Sequence, residues 1–246
     1  MSYNINMDKY LRIKEAANFL GVSAITLRRW DAMGKLQPQR KNKKYRLYTS
    51  LQLEEFLISH NLELAEKWVK AKTGKRPNDI FYCSDSSVFQ GRLYKLRAAL
   101  SPREKIESFY SLLISIVGEI GDNSFGHNIG NWPDIVGIFF SYDVKNRIIV
   151  LGDRGQGVLK TLKRIRPTLL DDAEALQVAF TEVISGRYPE NRGNGLKYVR
   201  EVIEHNPFNL FFQSGEAKLR LGGSNLELKI KKTKNSFRGC LAIIKF

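Results

Sequence analysis

Apolar positions near the N-terminus repeat at helical spacing and are cut by glycines. Ile13, Ala16, Ala17 and Leu20 share one helix face, and Gly21 stops the run. Ser23 is a good N-cap for a second stretch, SAITLRRWDAMG, which Gly34 closes. Two short helices joined through Gly-Val are therefore predicted. Strand-like residues follow around Leu36 and from Tyr45 to Tyr48, and a helical pattern covers 50–72 with Leu51, Leu53, Phe56, Leu57, Leu62, Leu64 and Trp68 as packing residues. The segment TGKRPND (73–79), with Gly, Pro and charge, reads as a linker between a domain at 1–72 and one at 80–246. In the latter, two helices are expected at 88–100 and 101–118, the second extending an apolar stripe of Leu112, Leu113, Ile116, Val117 and Ile120. Arg147 to Leu151 reads as a strand, and four more are expected at 210–213, 217–221, 226–231 and 237–244.

Charge sharpens this picture. The 246 residues carry a net +15, and residues 1–76 alone hold 16 Lys and Arg against 7 Asp and Glu. The basic excess is concentrated at the N-terminus and favours an anionic partner. Cys83 and Cys240 are far apart and form no metal-ligand pattern, as in a reduced cytoplasmic protein. The first residues lack the apolar core of a signal peptide, and no run approaches a membrane span, so no membrane partner is expected.

The second predicted helix presents Thr26, Arg28 and Arg29, and arginines there can read guanine or clamp phosphate. Arg40, Lys41, Lys43, Lys44 and Arg46 form a basic loop between short strands, placed to follow a phosphate backbone. The order helix, glycine turn, helix, GKLQPQRKNKKYRLYT and a third helix from Ser50 resembles the winged helix-turn-helix of the MerR and excisionase-like families. The resemblance covers roughly residues 9–58 and implies double-stranded DNA as partner, bound by a homodimer.

Three islands in the second domain carry chemistry. In EIGDNSFGHNIGNW (119–132), Glu119 and Asn123 are four apart and share a helix face. A hydrated Mg²⁺ on phosphates would engage both, Asn123 as oxygen ligand and Glu119 orienting a water. In GDRGQGV (152–158), Asp153 ends an apolar strand where it can accept from a buried amine such as that of adenine, while Gly155 and Gly157 permit a tight turn. In ENRGNGLKYV (190–199), Gly193 and Gly195 open a helix whose bare N–H groups suit phosphate, with Arg192 and Lys197 adding charge.

Each island alone is common. Their order, with a long lid-like segment between the second and third, resembles the GHKL ATPases, which include gyrase and the sensor histidine kinases; the resemblance spans about 105–246. It implies a Bergerat-type α/β sandwich, a mixed sheet covered by helices, so that the chain as a whole is α+β. It also implies ATP and Mg²⁺ as cofactors, Glu119 as general base, Asn123 as metal ligand, Asp122 as the acid preceding it, and Asp153 as the adenine acid. One departure is Gly239-Cys240, where many members have Gly-Thr. His60, His127 and His205 do not form a phosphoacceptor box. The expected activity is a Mg²⁺-dependent ATPase that regulates the DNA-binding domain. The alternatives are a protein kinase of the anti-sigma-factor type acting on a STAS-like partner, or a switch that binds nucleotide without turnover.

Overall fold

A computed structural model describes residues 10–39, 45–100, 107–183, 195–223 and 225–246. The chain divides into two compact units, Met1–Asn61 and Leu62–Phe246. The division precedes the linker expected at 73–79. The reason lies in the helical stretch after Ser50, which breaks at His60 into α3 (Ser50–Ser59) and α4 (Asn61–Lys70). His60 has left helical geometry, and its ring Nδ1–H donates to the Phe56 carbonyl at 2.8 Å. Trp68 and Val69 of α4 are then buried within the larger unit.

In the smaller unit, β1 (Tyr10–Arg12) pairs antiparallel with β2 (Leu47–Thr49). Between them lie α1 (Ile13–Leu20) and α2 (Ala24–Ala32). Local chemistry sets the ends. The Arg12 N–H donates to Glu15 Oε2 at 2.7 Å at the start of α1, and Gly21 ends that helix with φ +67°. Ser23 Oγ accepts from the Thr26 N–H at 3.0 Å to open α2, and Thr49 Oγ1 accepts from the Gln52 N–H to open α3. Ala16, Ala17, Leu20, Leu27, Leu36, Tyr48, Leu53 and Leu57 form the core. The strand expected around Leu36 shrinks to one bridge, Gln39 to Leu47, because Pro38 has no N–H to pair.

The larger unit is built on a seven-stranded sheet with order β3-β4-β5-β9-β6-β7-β8. Its strands are β3 (Tyr82–Cys83), β4 (Ile138–Asp143), β5 (Ile148–Asp153), β6 (Asn209–Ser214), β7 (Ala217–Gly222), β8 (Asn225–Lys232) and β9 (Cys240–Lys245). Every described pair is antiparallel, so the expected mixed sheet is corrected. A helical crossover from β5 to β6 makes these two parallel, but β9 lies between them and opposes both.

Helices α5 (Ser86–Leu100), α6 (Glu107–Asn128), α8 (Asp172–Thr181) and α9 (Gly195–Glu204) contribute to the core against one face of this sheet. The short α7 (Val158–Leu162) follows β5. Much of the expected lid is therefore core: α8 buries Ala175, Leu176, Val178 and Phe180. On the opposite face α4 covers part of the sheet, with the Trp68 ring 6.3 Å from that of Phe139. Coverage on both sides explains why successive residues of β4 and β5 are buried, whereas β7 alternates. Among the described residues no helix is long and apolar enough to cross a membrane.

Candidate functional site

The larger unit contains a pocket of about 760 Å³, counting its open mouth. Asn123 from α6, Asp153 and Gly157 from the β5 turn, and Gly195 at the start of α9 all line it. Three segments remote in sequence thus meet around one space. Ile120, Val158, Leu162, Leu196 and Phe212 supply apolar walls.

Asp153 is its most constrained group. The carboxylate is 2 % exposed. Ser124 Oγ donates to Oδ2 at 2.8 Å, and the Gly155 N–H donates to Oδ1, also at 2.8 Å. Burial pushes its pKa up to about 6 against the lowering effect of these bonds and of the Cys240 N–H. Gly239, at φ +83°, passes so close that a Cβ there would stand 2.6 Å from Asp153 Oδ1. Gly155 likewise leaves no room for a side chain, because Asn128 lies where its Cβ would be. Asn128 fixes the turn by accepting from the Gln156 N–H at 2.8 Å while donating to the Ser124 carbonyl.

At the other end of the pocket, Gly195 abuts the shared face of Glu119 and Asn123. A Cβ on Gly195 would lie 2.7 Å from Glu119 Oε2 and 3.0 Å from Asn123 Nδ2. Glu119 is exposed beside the pocket wall rather than part of it, and Asn123 is half-buried. Among the described residues no cluster of three or more His, Cys, Asp and Glu is placed to hold a metal ion. A metal here would depend mainly on ligand oxygens, with Asn123 as the protein donor.

Other expected residues lie elsewhere. Asp122 turns to α5 and accepts from Gln90 Nε2 at 3.0 and 3.1 Å. Lys197 is half-buried on α9 and does not line the pocket. Arg192 and Gly193 fall outside the described residues. Cys240, which stands where a hydroxyl was expected, lines the pocket, and burial raises its thiol well above the ordinary value. Sequence reasoning missed Ser124, Asn128 and Ser214. The first two carried a signal: Ile120, Ser124 and Asn128 recur every fourth residue on the pocket side of α6. Ser214 carried none; its Oγ accepts from the Val158 N–H at 2.9 Å and donates to the Gly239 carbonyl at 3.2 Å, bracing the turn from a distant strand.

In the smaller unit, α2 presents Arg28 and Arg29 to solvent. Thr26 is half-buried, and its hydroxyl contacts Ser23 Oγ at 2.9 Å. Exposed Ile25 and Met33 lie on the same helix and just beyond it. Arg46, with its side chain partly exposed, forms a 2.7 Å ion pair with Asp31. Trp30 packs on Phe56 with ring centroids 5.0 Å apart, and Lys35 lies over the Trp30 ring. Arg40, Lys41, Lys43 and Lys44 fall outside the described residues.

No curated protein matches the chain. Residues 12–48 match the family model described as MerR family regulatory protein. That stretch holds α1, the Gly21 turn, α2 and the approach to β2, so the N-terminal unit carries a MerR-type helix-turn-helix.

Proposed function

We propose that this chain is a DNA-binding regulator whose larger unit binds ATP with Mg²⁺ and thereby controls its helix-turn-helix unit. The observation that carries the reading is the meeting of Asn123, Asp153, Gly157 and Gly195 around one apolar-walled pocket. Their chemistry fits the ligand. Asp153 is a buried acceptor suited to the exocyclic amine of adenine, and the walls suit a flat base. The opening of α9 supplies backbone N–H groups for phosphates, with Arg192 and Gly193, from the sequence, adding to that end. Asn123 would hold the metal, which when bound neutralises phosphate charge. Glu119 stands beside Gly195, where its carboxylate can orient and deprotonate a water. Arg28 and Arg29 on α2, helped by the basic wing, would contact DNA.

The test is calorimetry of ATP with Mg²⁺ on the full chain and on Asn123→Ala, followed by incubation with γ-labelled ATP. Wild-type binding that is lost in Asn123→Ala, with release of free phosphate, is the expected result. Absence of wild-type binding would remove the ATP reading. Label retained on a protein would replace hydrolysis by phosphotransfer.

A further inference from the structure

The sheet of the larger unit has two unlike halves on its outer face. Over β4 and β5 it is covered by α4: Val69 Cγ1 lies 2.9 Å from where a Gly152 Cβ would be. Over β6, β7 and β8 it carries cations. Lys218 stands directly opposite Lys231, and Arg220 directly opposite Lys229, in the antiparallel register of β7 and β8. Positions two apart on a strand share a face, so all four belong to one surface. Arg220, Lys229 and Lys231 are exposed and Lys218 half-exposed. Phe211, opposite Arg220 on β6, lies under its guanidinium at 5.2 Å. Lys245 adds a further exposed cation at the end of β9.

Two like-charged pairs placed directly opposite each other oppose folding, since facing side chains on such strands lie about 5 Å apart. Among the described residues none of the four makes an ion pair. Lys232, which points to the other face, does: it meets Asp171 at 2.8 Å. Lysines on an edge strand can serve to block aggregation, which accounts for Lys229 and Lys231 on β8. It does not account for Lys218 and Arg220 on the inner strand.

We propose that this outer face of β6, β7 and β8 is a second polyanion surface that engages the phosphate backbone of double-stranded DNA. Charge complementarity selects an anionic occupant, and a MerR-type helix-turn-helix in the same chain makes DNA the anion at hand. The choice of DNA rests on the reading of that unit. The contacts are sequence-independent, because lysines and a single arginine over a phenyl ring read charge rather than base edges.

The experiment compares the full-length wild type with a variant carrying Lys218→Gln, Arg220→Gln, Lys229→Gln and Lys231→Gln. The probe is a long random-sequence duplex, titrated over a range of salt. Affinity at low salt is expected to fall about tenfold or more, and the slope of log affinity against log salt to shrink by about 2–4. Thermal unfolding should be unchanged or shifted upward, because repulsion is relieved. Changing Lys218, Lys229 and Lys231 to Arg, with Arg220 kept, preserves the charge and should keep the wild-type slope, which separates charge loss from misfolding. An unchanged affinity and slope in the Gln variant would overturn the proposal. So would loss of binding to phosphatidylserine vesicles with DNA binding intact, which would make the occupant a membrane. Arg28→Ala with Arg29→Ala, measured in parallel, reports on α2 alone. A deficit confined to that variant sinks the sheet surface, and one confined to the Gln variant sinks the role of α2.

Discussion

Arg154 and Asp134 form an ion pair 2.6 Å long in which the guanidinium is only 2 % exposed. Arg154 is the residue between Asp153 and the Gly155 turn. Its remaining donors reach the Trp68 carbonyl at 2.6 Å and the Val69 carbonyl at 3.2 Å, at the C-terminal end of α4. Both carbonyls lie in the last turn of α4, where i+4 partners run out; that of Trp68 also accepts from the Ala71 N–H at 3.3 Å, and one side chain thus ties the pocket turn to α4.

Removing the carboxylate should therefore be costly. Asp134→Ala leaves a buried cation with only backbone carbonyls and the Trp68 ring, 5.9 Å away, beside it, and a loss of about 3 kcal/mol is expected from urea unfolding. Burial by itself would raise the Asp134 pKa, but hydrogen bonds from Arg154 and the Ile135 N–H outweigh it and hold the group below its usual range. A depressed carboxylate stabilises the fold above its unfolded pKa, and that contribution disappears as pH falls through the folded value. Acid sensitivity should accordingly be weaker in Asp134→Ala. A loss under about 1 kcal/mol would show that the pair is not what holds Arg154 in place.

Asp153 runs the other way. Its folded pKa, near 6, lies above the ordinary carboxylate value because it is buried. Between about pH 4 and 6 the folded state holds the extra proton, so this group makes stability fall as pH rises through that window. Asp153→Asn should abolish that slope and raise stability at neutral pH. On the proposed ATP reading the same substitution should weaken ATP binding, because a carboxylate that would accept from the adenine amine is replaced by a weaker acceptor. In wild type, ATP binding near pH 5 should release a proton, measurable from calorimetry in buffers of different ionisation enthalpy. A pH-independent stability in wild type over this window would refute the assignment.

The helix-turn-helix was legible because its determinants are local. Ser23, Gly21 and the Ala16, Ala17, Leu20 face act over a few residues, and they form the expected caps and core. The break at His60 was not legible, since apolar residues keep helical spacing on both sides of it. The insertion of β9 between β5 and β6 depends on pairings that no periodicity encodes. Nothing in the glycine-bearing turn itself marks Arg154 for burial; its partners are the α4 carbonyls, 86 residues away for the Trp68 contact. The pocket residues were legible as motifs, yet the partners that orient Asp153 and its turn were supplied by the fold.

DNA binding by the full chain should weaken steeply with salt, by roughly 10³-fold between low and moderate concentrations if several phosphates are contacted. Arg28→Ala with Arg29→Ala should remove sequence preference, whereas Lys41, Lys43 and Lys44 replaced by Gln should weaken all sequences alike. Arg46→Ala is expected to act differently from both. Its guanidinium is paired at 2.7 Å with the nearly buried Asp31, so its deficit should be mirrored in thermal stability. Loss of DNA binding at unchanged stability would restore Arg46 to the contact surface.

Glu119→Gln should separate nucleotide binding from turnover. The amide keeps the size of the side chain and its position beside Gly195, but it is a very poor base. A general-base role then predicts near-normal ATP affinity by calorimetry and a hydrolysis rate lower by about 10²–10⁴-fold. The variant would hold ATP without consuming it, which allows the two units to be examined at equilibrium. Any coupling must be reciprocal: the factor by which ATP changes DNA affinity equals the factor by which DNA changes ATP affinity. Two titrations on this variant, ATP with and without DNA and DNA with and without ATP, give both factors independently. Equal factors other than one establish control of one unit by the other. Factors of one in both directions would mean that the pocket serves another purpose, and a turnover rate unchanged by the substitution would place the base at a different residue.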